Sequence, residues 1–151
     1  MIKIKKIRPE RVGELIRISY EGDAELLRTQ HVVPFDNIDN AVSMTCKQIQ
    51  AMEDEEELTY YKVLYKNNPI GYFITMGNCL FSFGINIAFR KKEVLTDWWA
   101  WVKRTLKEGF ICLLYTHQER AGKFLQKNGM SVMEYNEKDN VVILQHKNVI
   151  N

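Results

Sequence analysis

The chain has little of several things that would announce a specialised protein. It has three prolines, three cysteines, a net charge of +2 and no apolar run near the roughly 18 residues of a membrane span. The cysteines, Cys46, Cys79 and Cys112, are odd in number and widely spaced, so they form no disulfide framework; each has apolar neighbours, which fits reduced thiols in a cytoplasmic protein. His31, His117 and His146 stand at no ligand spacing and there is no Cys-x-x-Cys, which leaves no pattern for a metal site. Lys and Arg number 21 against 19 Asp and Glu, which gives no electrostatic case for nucleic acid or for an anionic membrane. The start, Met1 to Ile7, alternates polar and apolar residues and lacks the apolar block of an export signal. At 151 residues the chain is one domain, 1–151, with enough length for its own core.

What is present is a regular alternation of strand and helix patterns. Ile2 to Arg8 reads as a strand, and Pro9-Glu10 opens a helix with Val12, Leu15, Ile16 and Ser19 inward. Ala24, Leu26 and Leu27 continue a broken helical pattern after Gly22, and His31 to Phe35 reads as extended. Asp36 or Asp39 caps a second helix whose apolar face is Val42, Cys46, Ile49 and Met52, and the acidic run 54–57 ends it as a solvated loop. Three strands follow: 58–65, 70–76 and a long, mostly apolar one over 79–89 that suits a central position. The turn between the first two is read over Lys66 to Pro69, with Gly77-Asn78 as a hairpin before the third. Basic residues Arg90, Lys91 and Lys92 lead into a helix with Leu95, Trp98, Trp99, Val102 and Leu106 on one face, and Gly109 stops it. A buried strand over 110–115, a helix over 118–128 and strands over 130–135 and 141–145 complete the chain. The order β-α-α-β-β-β-α-β-α-β-β implies an α/β domain: a mixed, mostly antiparallel sheet with helices on both faces.

This order, together with Gln118-Glu119-Arg120-Ala121-Gly122-Lys123-Phe124-Leu125-Gln126-Lys127-Asn128-Gly129-Met130, resembles the GCN5-related N-acetyltransferase (GNAT) superfamily. The family's late segment is Asn-x-x-Ala-x-x-x-Tyr-x-x-x-Gly-Phe, and Arg120, Ala121, Lys127 and Gly129 fit its common form as they stand. The resemblance implies an acetyl-CoA-dependent acyltransferase. Its fourth and fifth strands splay apart, the pantetheine pairs with fourth-strand backbone, and the pyrophosphate rests on the N-terminus of the next helix. The amine acceptor would be a small molecule or a protein.

The sequence departs from that pattern at the chemical positions. Where the family carries a glycine-rich phosphate loop, this chain has Arg90-Lys91-Lys92-Glu93-Val94-Leu95, in which Val94 and Leu95 add bulk. Arg90, Lys91 and Lys92 fit either a solvated basic loop or a set of side-chain charges replacing loop N–H groups. By the resemblance, Ile87 on the fourth strand, Gln118 in the asparagine position and Arg120 complete the cofactor-binding set. Leu125 stands where the usual tyrosine acid stands and has no proton to give, so Tyr115 and His117 at the end of the fifth strand are the substitute acid or base. Asn86 reads as mid-strand, facing the splay or bonding backbone. The loss of glycines and the pattern around Phe83 to Asn86 and Trp98-Trp99 resemble a degenerate GNAT subgroup encoded by bacteriophages. Two readings follow: an N-acetyltransferase with a nonstandard phosphate loop, or a non-catalytic GNAT-like binding protein such as a virion structural or assembly component. For the second, Trp101, about 120° from the apolar face of its helix, is the expected surface for a protein partner or self-association.

Overall fold

The computed structural model describes residues 1–147. Its elements are β1 (Ile2–Ile7), α1 (Val12–Tyr20), α2 (Ala24–Thr29), α3 (Ile38–Glu53), β2 (Leu58–Tyr65), β3 (Asn68–Met76) and β4 (Cys79–Ile85), followed by α4 (Lys92–Thr105), β5 (Ile111–Tyr115), α5 (Glu119–Lys127), β6 (Met130–Asn136) and β7 (Val141–His146). The seven strands form one sheet in the order β1-β2-β3-β4-β5-β7-β6. Every neighbouring pair is antiparallel except β4 and β5, which are parallel across the α4 crossover. This is the expected mixed sheet.

Helices cover both faces. On one, α4 and α5 bury Trp98, Trp99, Val102 and Leu125 against Phe73, Phe110 and Leu144. On the other, α1 and α3 bury Ile16, Tyr20, Ala41 and Ile49 against Tyr72 and Ile74. The α1 stripe read from the sequence, Val12, Leu15, Ile16 and Ser19, is buried in full. In α3 the buried stripe is Ala41, Thr45 and Ile49, so it centres one residue before the expected Val42-Cys46-Ile49 face, with a threonine in its middle. Trp98 and Trp99 lie among aromatic rings, with Phe83 centred 5.4 Å from Trp98 and Phe110 5.7 Å from Trp99. Such pairs contribute about 0.5–1.5 kcal/mol each beyond their burial.

Several local readings change. The long strand expected over 79–89 stops at Ile85, because the Asn86 side chain donates to the Ile18 and Glu21 carbonyls and accepts from the Ala88 N–H. That clip ends the strand and starts a single 3-10 turn over Ile87–Phe89, so Asn86 does not face the splay. The β2–β3 turn is only Lys66 and Asn67, at φ +50° and +65°, and Asn68 and Pro69 belong to the edge of β3. Asn37, rather than Asp36 or Asp39, caps α3 by accepting from the Asp39 and Asn40 N–H groups. A short extra helix, α2, follows Gly22, and Asp23 caps it at the Leu26 N–H, 3.1 Å away. Cys46 is half-buried, while Cys79 and Cys112 are buried. Trp101 is half-buried against the α4 core, with the Arg104 guanidinium 4.5 Å over its ring, so the chain itself covers part of the face expected to need a partner.

Two glycines let α1 and β3 close on β4. A Cβ on Gly84 would stand 2.8 Å from Ser19 Cβ, and one on Gly71 would stand 2.1 Å from the Gly84 carbonyl oxygen. The first clash is with a side chain that α1 holds in place; the second is with backbone of the adjacent strand. Gly84→Ala is therefore expected to lower unfolding free energy by about 1–3 kcal/mol, and Gly71→Ala by more. Urea unfolding of both variants checks this, and equal, near-zero effects would show that α1 does not press on β4.

Candidate active site

Strands β4 and β5 pair only at Cys79 with Ile111 and Leu80 with Cys112, and beyond these they diverge. Asn78 fixes the closed end: its side chain accepts from the Lys107 N–H at 2.8 Å, donates to the Lys107 carbonyl at 3.3 Å, and its own carbonyl accepts from Ile111 N. The gap between the strands is part of a cavity of about 830 Å³. Leu95, Trp98, Ala121 and Phe124 line it from the α4/α5 face; Leu26, Thr45, Ile49 and Met52 line it from the α2/α3 face. The cavity therefore passes through the sheet. On its β5 side, the backbone of β4 from Phe81 to Ile85 has no strand partner among the described residues, which leaves N–H and C=O groups for an extended ligand.

The open end is spanned by a buried carboxylate. Asp23, its side chain 2% exposed, takes the Arg90 guanidinium at 2.6 Å and that of Arg120 at 3.0 Å, and Arg120 also reaches Glu25 at 3.5 Å. Arg90 follows β4 and its Nε donates to the Ile85 carbonyl at 2.8 Å, while Arg120 lies in the first turn of α5. Burial raises the Asp23 pKa, but the Arg90 hydrogen bond, the Leu26 N–H and both guanidinium charges outweigh it and hold the carboxyl below its ordinary range. Gln118 makes a second tie: its Oε1 accepts from Tyr115 N at 2.9 Å and its Nε2 donates to the Gln30 carbonyl at 3.0 Å. The residue in the family's asparagine position thus joins β5 to the end of α2.

The residues expected at the site divide as follows. Ile87, Arg90, Tyr115, Gln118 and Arg120 line the cavity. Ile87 lies in the 3-10 turn and is exposed rather than part of a strand, so its backbone cannot pair with a ligand as β4 backbone does. Arg90 and Arg120 are engaged with Asp23. Lys91 and Lys92, at the start of α4, are exposed and form no ion pair among the described residues. Val94 turns into the core and does not obstruct the cavity, whereas Leu95 does line it. Leu125 is wholly buried in the α4/α5 core. His117 stacks on Tyr115 with ring centroids 5.4 Å apart; its Nε2 is buried and has no hydrogen-bond partner among the described residues. His117 does not line the cavity.

A second polar group went unread in the sequence. Thr45, on the cavity wall, bonds the Tyr20 hydroxyl at 2.8 Å and His31 Nε2 at 3.0 Å, and those two are 3.2 Å apart. Burial holds the His31 imidazole below its usual pKa, and the nearby His117 acts in the same direction. Burial pushes the Tyr20 phenol up to about 12. No sequence spacing links residues 20, 31 and 45; only a threonine in the middle of an otherwise apolar helix face hinted at it.

Solved structures share this architecture. The PaiA N-acetyltransferase of Thermoplasma acidophilum, solved in complex with coenzyme A, superposes with a TM-score of 0.61 at 18% identity, over 98% of this chain and 99% of that one. An acetyltransferase from Thermus thermophilus gives 0.67 at 12% identity, over 97% and 96% of the two chains. Apo-form YjaB from Escherichia coli gives 0.65 at 16% identity, over 97% of each. No protein-family model and no curated protein sequence matches the chain. The fold is that of the GNAT acetyltransferases.

Two pH effects follow. A histidine whose pKa is lowered by folding contributes stability that is lost as pH falls through its unfolded value, about 6.5. His31 and His146 are both lowered, chiefly by burial. Unfolding free energy should fall from about pH 8 to about pH 5, and His31→Gln should remove part of that slope. An unchanged slope in the variant would place the pH dependence elsewhere. The Asp23 contribution has the same sense in a lower pH range: it is present above the ordinary carboxylate pKa and lost as pH drops further, through the lowered folded value. Asp23→Asn is expected to cost about 3 kcal/mol by chemical denaturation, the low end for breaking a buried pair, since both arginines keep some solvent.

Proposed function

We propose that the protein transfers an acetyl group from acetyl-CoA to an amine. The observation that carries this reading is the cavity that passes through the sheet where β4 and β5 part. A splay closed by side chains would have favoured a binding role; here a cavity lies between the strands and reaches the helices on both faces. When bound, acetyl-CoA supplies an acyl thioester. The unpaired backbone of β4 fits its pantetheine arm, and the first N–H groups of α4, with Lys91 and Lys92, fit its phosphates.

The chain's own residues then have distinct tasks. Asn78, Gln118 and the Asp23 bridge hold β4 and β5 at their separation. Leu95, Trp98 and Phe124 keep water from one side of the gap. Tyr115 carries a hydroxyl at the end of β5 that can donate a proton to a departing thiolate. His117, stacked on its ring, orients it. None of Cys46, Cys79 and Cys112 lines the cavity, and burial raises all three thiols, that of Cys79 to about 11 and that of Cys112 higher. None is placed to serve as an acyl carrier, so the amine attacks the thioester directly.

The glycine-free loop favours a second reading, a non-catalytic GNAT-fold binding protein, with a virion role as its most specific form. Arg90 and Arg120 are engaged with Asp23, and Arg120 also with Glu25, which weakens cofactor binding relative to a glycine-rich loop.

Calorimetry with acetyl-CoA separates the two readings. Binding is expected, weakened by Lys91→Ala combined with Lys92→Ala, with the larger loss at low salt. No heat at millimolar acetyl-CoA would favour the non-catalytic protein. For turnover, Tyr115→Phe should slow CoA release by about 10²-fold or more, and His117→Ala by less. Full activity in both variants would leave water as the proton donor.

A further inference from the structure

We infer that the acceptor is an amine carried on an apolar, otherwise uncharged body, taken up by the arm of the cavity between α3 and the β3–β4 hairpin. This rests on the acyl-transfer reading and adds the substrate class. The arm is walled by Leu26, Ile49, Met52, Met76 and Phe81. Its polar residues, Gln30, Thr45, Gln48 and Ser82, are all neutral. The Gln30 carbonyl already accepts from Gln118, and the Thr45 hydroxyl is bonded to Tyr20, His31 and the Ala41 carbonyl.

The charge distribution decides the class. Among the described residues, Arg90 and Arg120 are the only charged ones lining the cavity; both are cations, and both are engaged with Asp23 behind the wall. No carboxylate among them reaches its wall; the exposed acidic residues 54–57 follow Met52 but stay outside it. A polyamine, an aminoglycoside or a lysine-rich tail would bring further ammonium groups into this arm, where each would lose its water without gaining a partner. A hydrocarbon body instead removes apolar surface from water on both sides of the contact. The arm also has a way in, because Gln48 and Ala51 on α3 are exposed. An acceptor must arrive from solvent, whereas an acyl chain on the donor would need only a closed end.

The test uses the whole chain with butylamine, hexylamine and octylamine against spermidine. In calorimetry, octylamine should bind with or without acetyl-CoA, and spermidine at least about tenfold more weakly. In turnover, kcat/KM should rise about fourfold per added CH₂ until the arm is full. Met52→Asp should abolish this rise while leaving acetyl-CoA affinity unchanged. Should that variant fail to fold, Gln48→Glu, at an exposed position, should shift preference toward spermidine. Three results would overturn the inference: no octylamine binding, spermidine used as well as octylamine, or the gain from chain length appearing with octanoyl-CoA in place of the amine. Octylamine binding alongside a failure of acetyl-CoA to bind would instead sink the acyl-transfer reading and leave the arm's preference standing.

Discussion

Two parallel strands that pair at two positions and then separate impose the main constraint on this molecule. Unpaired strand edges inside a domain leave N–H and C=O groups without partners, which costs free energy unless something holds the strands apart and something else satisfies the groups. The chain does the first with side-chain amides. Asn86 ties the end of β4 to the last turn of α1, and Gln118 ties the end of β5 to α2, so the two strand ends are anchored to different helices. Asn78 holds the other end closed. The gap is therefore a built feature, and its width follows from where α1 and α2 lie on the sheet.

Asp23 joins the same three regions. It caps α2, accepts from the arginine that follows β4, and accepts from the arginine that opens α5. A buried carboxylate is stable here because two guanidiniums face it, and removing Asp23 would take the shared partner from both. A 3-10 turn separates β4 from α4, and two of the cations near it are already engaged with Asp23. The remaining positive charge there, Lys91 and Lys92, is exposed and screened by salt.

The two faces of the cavity differ in kind. The α4/α5 face is aromatic and rigid, with Trp98, Trp99 and Phe124 packed ring to ring. The α2/α3 face carries the side chains of Met52 and Met76 and opens to solvent at Gln48 and Ala51. One face of the cavity is therefore fixed and the other more adaptable, since methionine fills irregular space at little cost.

Much of this was legible in the sequence because its signals are local. Strand alternation, the Trp98-Trp99 stripe, the α1 stripe and the Asn128-Gly129 stop each depend on residues a few positions apart, and they established the element order and the fold class. The segment 118–130 located the helix beside the site, and Tyr115, Gln118 and Arg120 do line the cavity. What the sequence could not supply was pairing between distant residues. The end of β4 at Ile85 is set by carbonyls 65 and 68 positions away. The role of Arg90 is set by Asp23, 67 positions earlier, and that of Thr45 by His31 and Tyr20. Hydrogen bonds and ion pairs of this range leave no periodicity in the chain. They exist only once hydrophobic burial has brought the helices onto the sheet, and so tertiary structure alone decided which charges face a ligand and which face each other.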